Sequence, residues 1–211
     1  MAEEIPLPVI DFQPQNGCIA KHAGLDDFKT VDELRLYPQR STDYKYLVTN
    51  KQNDNMYKVQ IDSEASHCQP QRPYTIQLLD NSDAPIMKIT HSIGCESCFC
   101  CALPQKVDMF TPPDTPVGSL EQEWNLLYPT FAVKNENKEI MLRIEGPCSR
   151  LTCCSDPDFK IITPDGEKEI GQISREHYLY SKITFAETLD AKTKALLLGS
   201  CLVVNLTYWN V

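Results

Sequence analysis

The run Ala195-Leu-Leu-Leu-Gly-Ser-Cys-Leu-Val-Val204 is apolar on every face of a helix drawn through it. Such a helix has no side to offer water, so protein core or lipid must surround it. Asp190 stands before it as an N-cap candidate, with Lys192 and Lys194 leading in. Extended to Trp209 the stretch has 15 residues, about 22 Å as a helix against about 30 Å of bilayer hydrocarbon. Asn205 and Thr207 shorten the apolar run further. Length therefore favours a buried core helix over a membrane span, and the rest of the chain must supply its walls.

Those walls read as strands. From about Tyr44 to Ile173, apolar residues alternate in short runs: Tyr57, Val59, Ile61; Tyr74, Ile76, Leu78; Phe131, Val133; Ile140, Leu142, Ile144; Phe159, Ile161. Between the runs lie Asn53-Asp54-Asn55, Asn81-Ser82-Asp83, Asn135-Glu136-Asn137 and Pro164-Asp165-Gly166, which suit hairpins of a sandwich or barrel. Upstream, Thr30 and Glu33 have capping-box spacing and predict a short helix or turn using Val31, Leu34 and Leu36. Residues 1–23, with Pro6, Pro8, Pro14 and Gly17, read as an extended arm, leaving 24–211 as the folded domain.

The chain also resembles itself. Cys95 and Cys148, Cys100 and Cys153, Cys101 and Cys154, and Gly118 and Gly171 each differ by 53 positions. Val117-Gly118-Ser119-Leu120 with Trp124 echoes Ile170-Gly171-Gln172-Ile173 with His177. Two pseudo-repeats in a β barrel or sandwich account for this offset.

Ten cysteines in a small secreted chain would suggest a disulfide framework. The start Met1-Ala2-Glu3-Glu4-Ile5-Pro6 has neither a basic nor an apolar export region, so secretion is not expected and the cysteines read as thiols, metal ligands or acylation sites. Cys95 and Cys98 have zinc-knuckle spacing, but the second cluster has no paired C-x-x-C, and His67 and His91 stand outside finger spacing. Cys148, Cys153 and Cys154 fit small buried side chains set by a repeated architecture. The denser Cys95, Cys98, Cys100 and Cys101 are the better acylation candidates, since stable anchoring takes at least two lipid signals. A net charge of −9 repels a phosphate backbone, so nucleic acid is not an expected partner. The four histidines are scattered and no nucleophile elbow or phosphate-cradling glycine loop appears, so no catalytic constellation is assigned.

Arg72-Pro73-Tyr74, the Cys95–Cys101 cluster, Val117-Gly118 with Gln122 and Trp124, Phe131-x-Val133-x-Asn135, Gly146-Pro147-Cys148, Cys153-Cys154, Asp158-Phe159, Ile170-Gly171-Gln172-Ile173-Ser174 and Leu189-Asp190-Ala-Lys192-x-Lys194-Ala195 occur in order. In these the chain resembles the phospholipid scramblase family, from about Gly24 to Tyr208. The resemblance implies a mainly β, closed tubby-like barrel of two pseudo-repeats around a buried hydrophobic C-terminal helix. It implies a protein associated with the cytosolic face of the plasma membrane or an endomembrane, with palmitate on the first cysteine cluster. It further implies calcium-stimulated, ATP-independent, bidirectional movement of membrane phospholipids between leaflets, with no bond chemistry.

The resemblance departs from the family pattern just before the terminal helix. Family members carry an Asp-x-Asp start, Phe-Gly and a Phe-Pro-x-Asp close before the terminal helix. Here the segment is shortened to Ile183-Thr184-Phe185-Ala186-Glu187-Thr188-Leu189-Asp190. Calcium takes six to eight oxygen ligands, and Glu187 with Asp190 cannot supply them alone. Besides lipid scrambling, two other readings stand: an acyl-anchored module that binds lipid head groups or protein partners without transport, and a zinc-stabilised cysteine-rich domain.

Overall fold

The computed structural model describes residues 25–40, 43–62, 73–91, 105–125, 127–147, 158–176 and 178–209. A 3-10 turn, Asp26–Thr30, leads into twelve strands: β1 Glu33–Pro38, β2 Tyr46–Asn50, β3 Asn55–Ile61, β4 Tyr74–Leu79, β5 Pro85–His91, β6 Lys106–Thr111, β7 Thr115–Glu123, β8 Thr130–Asn135, β9 Ile140–Glu145, β10 Phe159–Ile162, β11 Glu169–Glu176 and β12 Tyr180–Phe185. Helix α1, Ala191–Val204, follows and runs on as a π-helical turn, Asn205–Trp209. Each strand pairs antiparallel with its neighbours in sequence, and β12 pairs with β1 to close the ring. Closure removes the sheet edges that would otherwise need protection.

Wall and plug explain each other. The walls alternate: Leu34 and Leu36 of β1, Tyr57 and Val59 of β3, and Ile76 and Leu78 of β4 turn inward and are buried. The helix does not alternate, because walls surround it; every residue from Thr193 to Val204 is buried. Asp190 is its N-cap, accepting the Thr193 N–H at 2.6 Å, as its place in the sequence suggested. The closed barrel around a buried helix is the architecture the resemblance implied.

The capping box at Thr30 is overturned. Thr30 ends the 3-10 turn and Glu33 opens β1, where it accepts from Arg35 Nε at 2.7 Å. Burial of Leu34 and Leu36 on one strand face outweighs a local cap whose loss costs about 1 kcal/mol. The β region is accordingly wider than the alternation from Tyr44 to Ile173, extending from Glu33 to Phe185.

Hairpin turns recur in kind. In residues 50–54, 80–84 and 135–139 the first side-chain oxygen (Asn50, Asp80 or Asn135 Oδ1) accepts the N–H groups of the residues two and four ahead. The fourth residue takes positive φ in each: Asn53 at 67°, Asp83 at 62° and Lys138 at 66°. Side-chain oxygens replace backbone acceptors here, which is why Asn and Asp cluster between the strands.

Just beyond the turn, five hairpins carry a register shift that leaves one extra residue in the second strand: Met56, Ile86, Val117, Met141 and Ile170. Four of these are buried and Met56 packs against the core, so the bulges bend the strands inward and help close one end. The 53-residue echo has its structural content here. Gly118 and Gly171 each follow the extra residue, and a Cβ on either would stand 2.2 Å from a neighbouring-strand carbonyl, Lys134 O or Thr184 O. The echo takes β7 to β11, a step of four strands around the ring.

Candidate functional site

A twelve-strand meander has two distinct ends. One carries the tight turns after β2, β4, β6, β8 and β10, together with the entry to α1. The other carries the connections after β1, β3, β5, β7, β9 and β11, and α1 runs toward it, its π-helical continuation ending at Trp209. We call these the turn end and the loop end.

At the turn end the plug is fastened by charge and hydrogen bonds. Lys192 Nζ pairs with Glu136 of the 135–139 turn. Lys194 is fully buried, donating from Nζ to Val31 O at 2.7 Å and Lys29 O at 3.2 Å, 5.5 Å from the Phe185 ring centroid. Burial pulls its pKa below the usual lysine range, against the opposing pull of Glu187, Asp32 and Asp190. Toward the loop end, Asn205 Nδ2 donates to Ser181 Oγ, and Arg175 Nη1 donates to Trp209 O at 3.4 Å. The helix is thus held at both ends. Cys201 lies inside the barrel, where burial raises its thiol pKa and keeps it protonated.

Cys95, Cys98, Cys100 and Cys101 lie outside the described residues, as do Cys148, Cys153, Cys154, His67 and His177. β5 ends at His91 and β6 begins at Lys106 at the loop end, where β9 also ends and β10 begins. Glu187 and Asp190 are at the opposite end. Glu187 is exposed on the turn before α1, and Asp190 is engaged as the helix cap. Among the described residues no three His, Cys, Asp or Glu side chains group to hold a metal ion. Also among them, no helix is long and apolar enough to cross a membrane.

One feature escaped the motif reading. The large hydrophobic residues exposed among the described ones are Trp124, Leu127, Tyr128, Tyr178, Leu179 and Tyr208. Trp124, Leu127 and Tyr128 follow β7, Tyr178 and Leu179 form the β11–β12 connection, and Tyr208 ends the plug, so all six are at the loop end. Beneath them lie further rings. Tyr74 stacks on His91 with centroids 4.9 Å apart, Tyr37 meets Tyr180 at 4.8 Å, and Phe159 meets Tyr208 at 5.1 Å. Trp124 and its echo at His177 were the available signal, but a two-residue echo does not distinguish a packed side chain from an exposed one.

The scramblase family model matches residues 30–211, which include every strand of the barrel and the plug. The chain belongs to the scramblase family. It is 29% identical to phospholipid scramblase 2 of Bos taurus over 98% of this chain and 75% of that protein. To phospholipid scramblase 1 of Mus musculus it is 30% identical, over 88% of this chain and 63% of that protein. Phospholipid scramblase family member 5 of Homo sapiens is 26% identical over 96% of this chain and 80% of that protein. The chain thus spans between 63% and 80% of these relatives' lengths. Among solved structures, an X-ray structure of an Arabidopsis thaliana protein aligns with a TM-score of 0.48 and 14% identity, covering 86% of this chain and 98% of that one.

Proposed function

We propose that this chain is a membrane-associated, phospholipid scramblase-like protein that moves phospholipids between leaflets in both directions without ATP and without making or breaking bonds. Membership in a family whose relatives are named phospholipid scramblases supports this reading. Its anchor is palmitate on Cys95, Cys98, Cys100 and Cys101, on the cytosolic face. Calcium does not act through Glu187 and Asp190, because two carboxylates, one already capping α1, are too few for the ion.

The test is lipid movement itself. Protein reconstituted into liposomes with a fluorescent lipid should expose inner-leaflet label to dithionite without permeabilising the vesicle, equally with and without calcium. Replacing the four cysteines by Ala should shift the protein from the membrane to the soluble fraction of cells; equal fractions for both chains would remove the anchor from the reading.

A second reading has one observation in its favour. The helix is already occupied as the barrel's core and tied by Lys194 to Lys29 and Val31. Such a helix opens no lipid path without leaving the barrel. A folded, vesicle-bound protein that moves no lipid would make the chain an acyl-anchored module binding head groups or protein partners.

A further inference from the structure

We propose that the barrel meets the bilayer end-on, loop end first, with Trp124, Leu127, Tyr128, Tyr178, Leu179 and Tyr208 seated at the boundary between head groups and hydrocarbon. The inference rests on the membrane association proposed above and adds the orientation and the residues that contact lipid.

Four observations carry it. First, polarity: the exposed large hydrophobic side chains among the described residues all lie at one end, whereas the opposite turns present Asn50, Asp80, Glu136 and Lys138. Strands of six residues keep the two ends about 20 Å apart, so a surface that accepts one end leaves the other in water. Second, chemistry: the rim is one tryptophan, three tyrosines and two leucines, and amphipathic rings of this kind collect where hydrocarbon meets head groups.

Third, continuity. Tyr208 reaches Phe131 and Phe159, with centroids 6.2 and 5.1 Å away, and Arg175 stands 4.9 Å from the Tyr178 ring while donating to Trp209 O. The plug's end therefore joins the patch after β7 to the patch after β11. The connections from β5 to β6 and from β9 to β10, whose sequences contain the cysteine clusters, begin and finish at this same end. Fourth, charge. The chain carries −9 overall, and two cations of this end are paired, Arg143 with Glu123 at 3.2 Å and Lys182 with Glu176 at 2.5 Å. A net negative chain with an aromatic and leucine rim offers apolar insertion rather than attraction to anionic head groups, so the partner assigned to this face is a neutral phosphatidylcholine interface, with little dependence on salt.

The chain has two tryptophans, Trp124 exposed at 78% and Trp209 buried at 5%, which makes the test direct. In the full chain with Trp209→Phe, Trp124 is the sole reporter. In a second chain, Trp124→Phe and Trp209→Phe are combined with Asn137→Trp, placing the reporter on an exposed turn at the far end. Both are mixed with phosphatidylcholine vesicles brominated on the acyl chains. Trp124 should shift to the blue and be quenched, while the far-end reporter of the second chain should keep its aqueous emission. Serine at Trp124, Leu127, Tyr178 and Leu179 together should lower vesicle partitioning tenfold or more with the circular dichroism spectrum unchanged.

Equal quenching of the two reporters, quenching only at the turn end, or none at either would overturn the proposal. So would a blue shift of Trp124 that grows with protein concentration in the absence of vesicles, because the rim would then close on a second copy of the chain. The outcome is separable from that of the dithionite assay. End-on quenching without lipid movement removes the transport function and leaves the orientation; lipid movement with the far-end reporter quenched does the reverse.

Discussion

The two ends of this barrel follow opposite rules. At the turn end, short connections fold their polar groups onto themselves: one Asn or Asp oxygen takes two backbone N–H groups in each of three turns, and the bulges tuck aliphatic side chains beneath them. At the loop end, the β7–β8 and β11–β12 connections and the last turn of the plug leave aromatic side chains in the open. Both are built on the same twelve strands, so the contrast comes from the connections. The turn end uses its connections to satisfy backbone groups, and the loop end uses them to place side chains such as Trp124 and Tyr178 on the surface.

Several substitutions would break or sharpen that contrast. The largest effect is expected at Gly118 and Gly171, beside the turn-end bulges. Alanine at either puts a Cβ 2.2 Å from a backbone carbonyl that cannot rotate away, and each should lower unfolding stability by about 2–3 kcal/mol. Urea melts giving less than about a 0.5 kcal/mol change would show that the strands can separate there, contrary to the tight registry of this end.

Lys194→Met comes next. It removes the donor from Val31 O and Lys29 O, and leaving buried acceptors unmet costs about 1–3 kcal/mol. It also has a pH signature. Burial lowers the folded-state pKa despite Glu187, Asp32 and Asp190, so the unfolded chain holds the proton to higher pH than the folded one. Wild type should therefore gain stability relative to the variant as pH rises from the lowered pKa to the ordinary lysine range, and level off above it. Parallel stability curves would mean that the ammonium is solvated in the folded protein.

A smaller loss is expected for Asp80→Ala, which strips the acceptor for Ser82 N–H and Ala84 N–H from an exposed turn. About 1 kcal/mol is reasonable for such a cap-like oxygen, readable as a shift in thermal midpoint. Smallest of all is Trp124→Ser at the loop end, expected to change stability by less than about 0.5 kcal/mol while weakening vesicle binding. A loss like that at Gly118 would mean that Trp124 supports the fold, and the division between the two ends would fail.

Much of this architecture was readable from residue pattern. Period-two alternation exposed the walls because each has one buried face, and the featureless apolarity of 195–204 exposed the plug because it has no other kind of face. The 53-residue echo identified Gly118 and Gly171 because a backbone approach that excludes Cβ leaves glycine as the residue that fits. Thr30 and Glu33 misled because a capping box is a local signal and the burial of Leu34 and Leu36 is not. The aromatic rim was illegible for a different reason. Trp124, Tyr178 and Tyr208 are far apart in sequence and reach the same end only when strand parity places the first two and the direction of α1 places the third. Lys194 was visible as a charge near a helix start, but its carbonyl partners, Lys29 and Val31, come from the other end of the chain.

All twelve strands precede α1, which has a consequence for biosynthesis. The ribosome makes the whole wall before it makes what fills the wall. Until α1 emerges, the inward faces of Leu34, Val48, Ile76, Ile89 and Val133 have no native partner at their centre, and they invite chaperones or neighbouring nascent chains. A stop within residues 186–190 would leave every strand in place around an unfilled apolar interior. Such a product should depend on quality control far more than one shortened within the first strands, even though it lacks less of the chain.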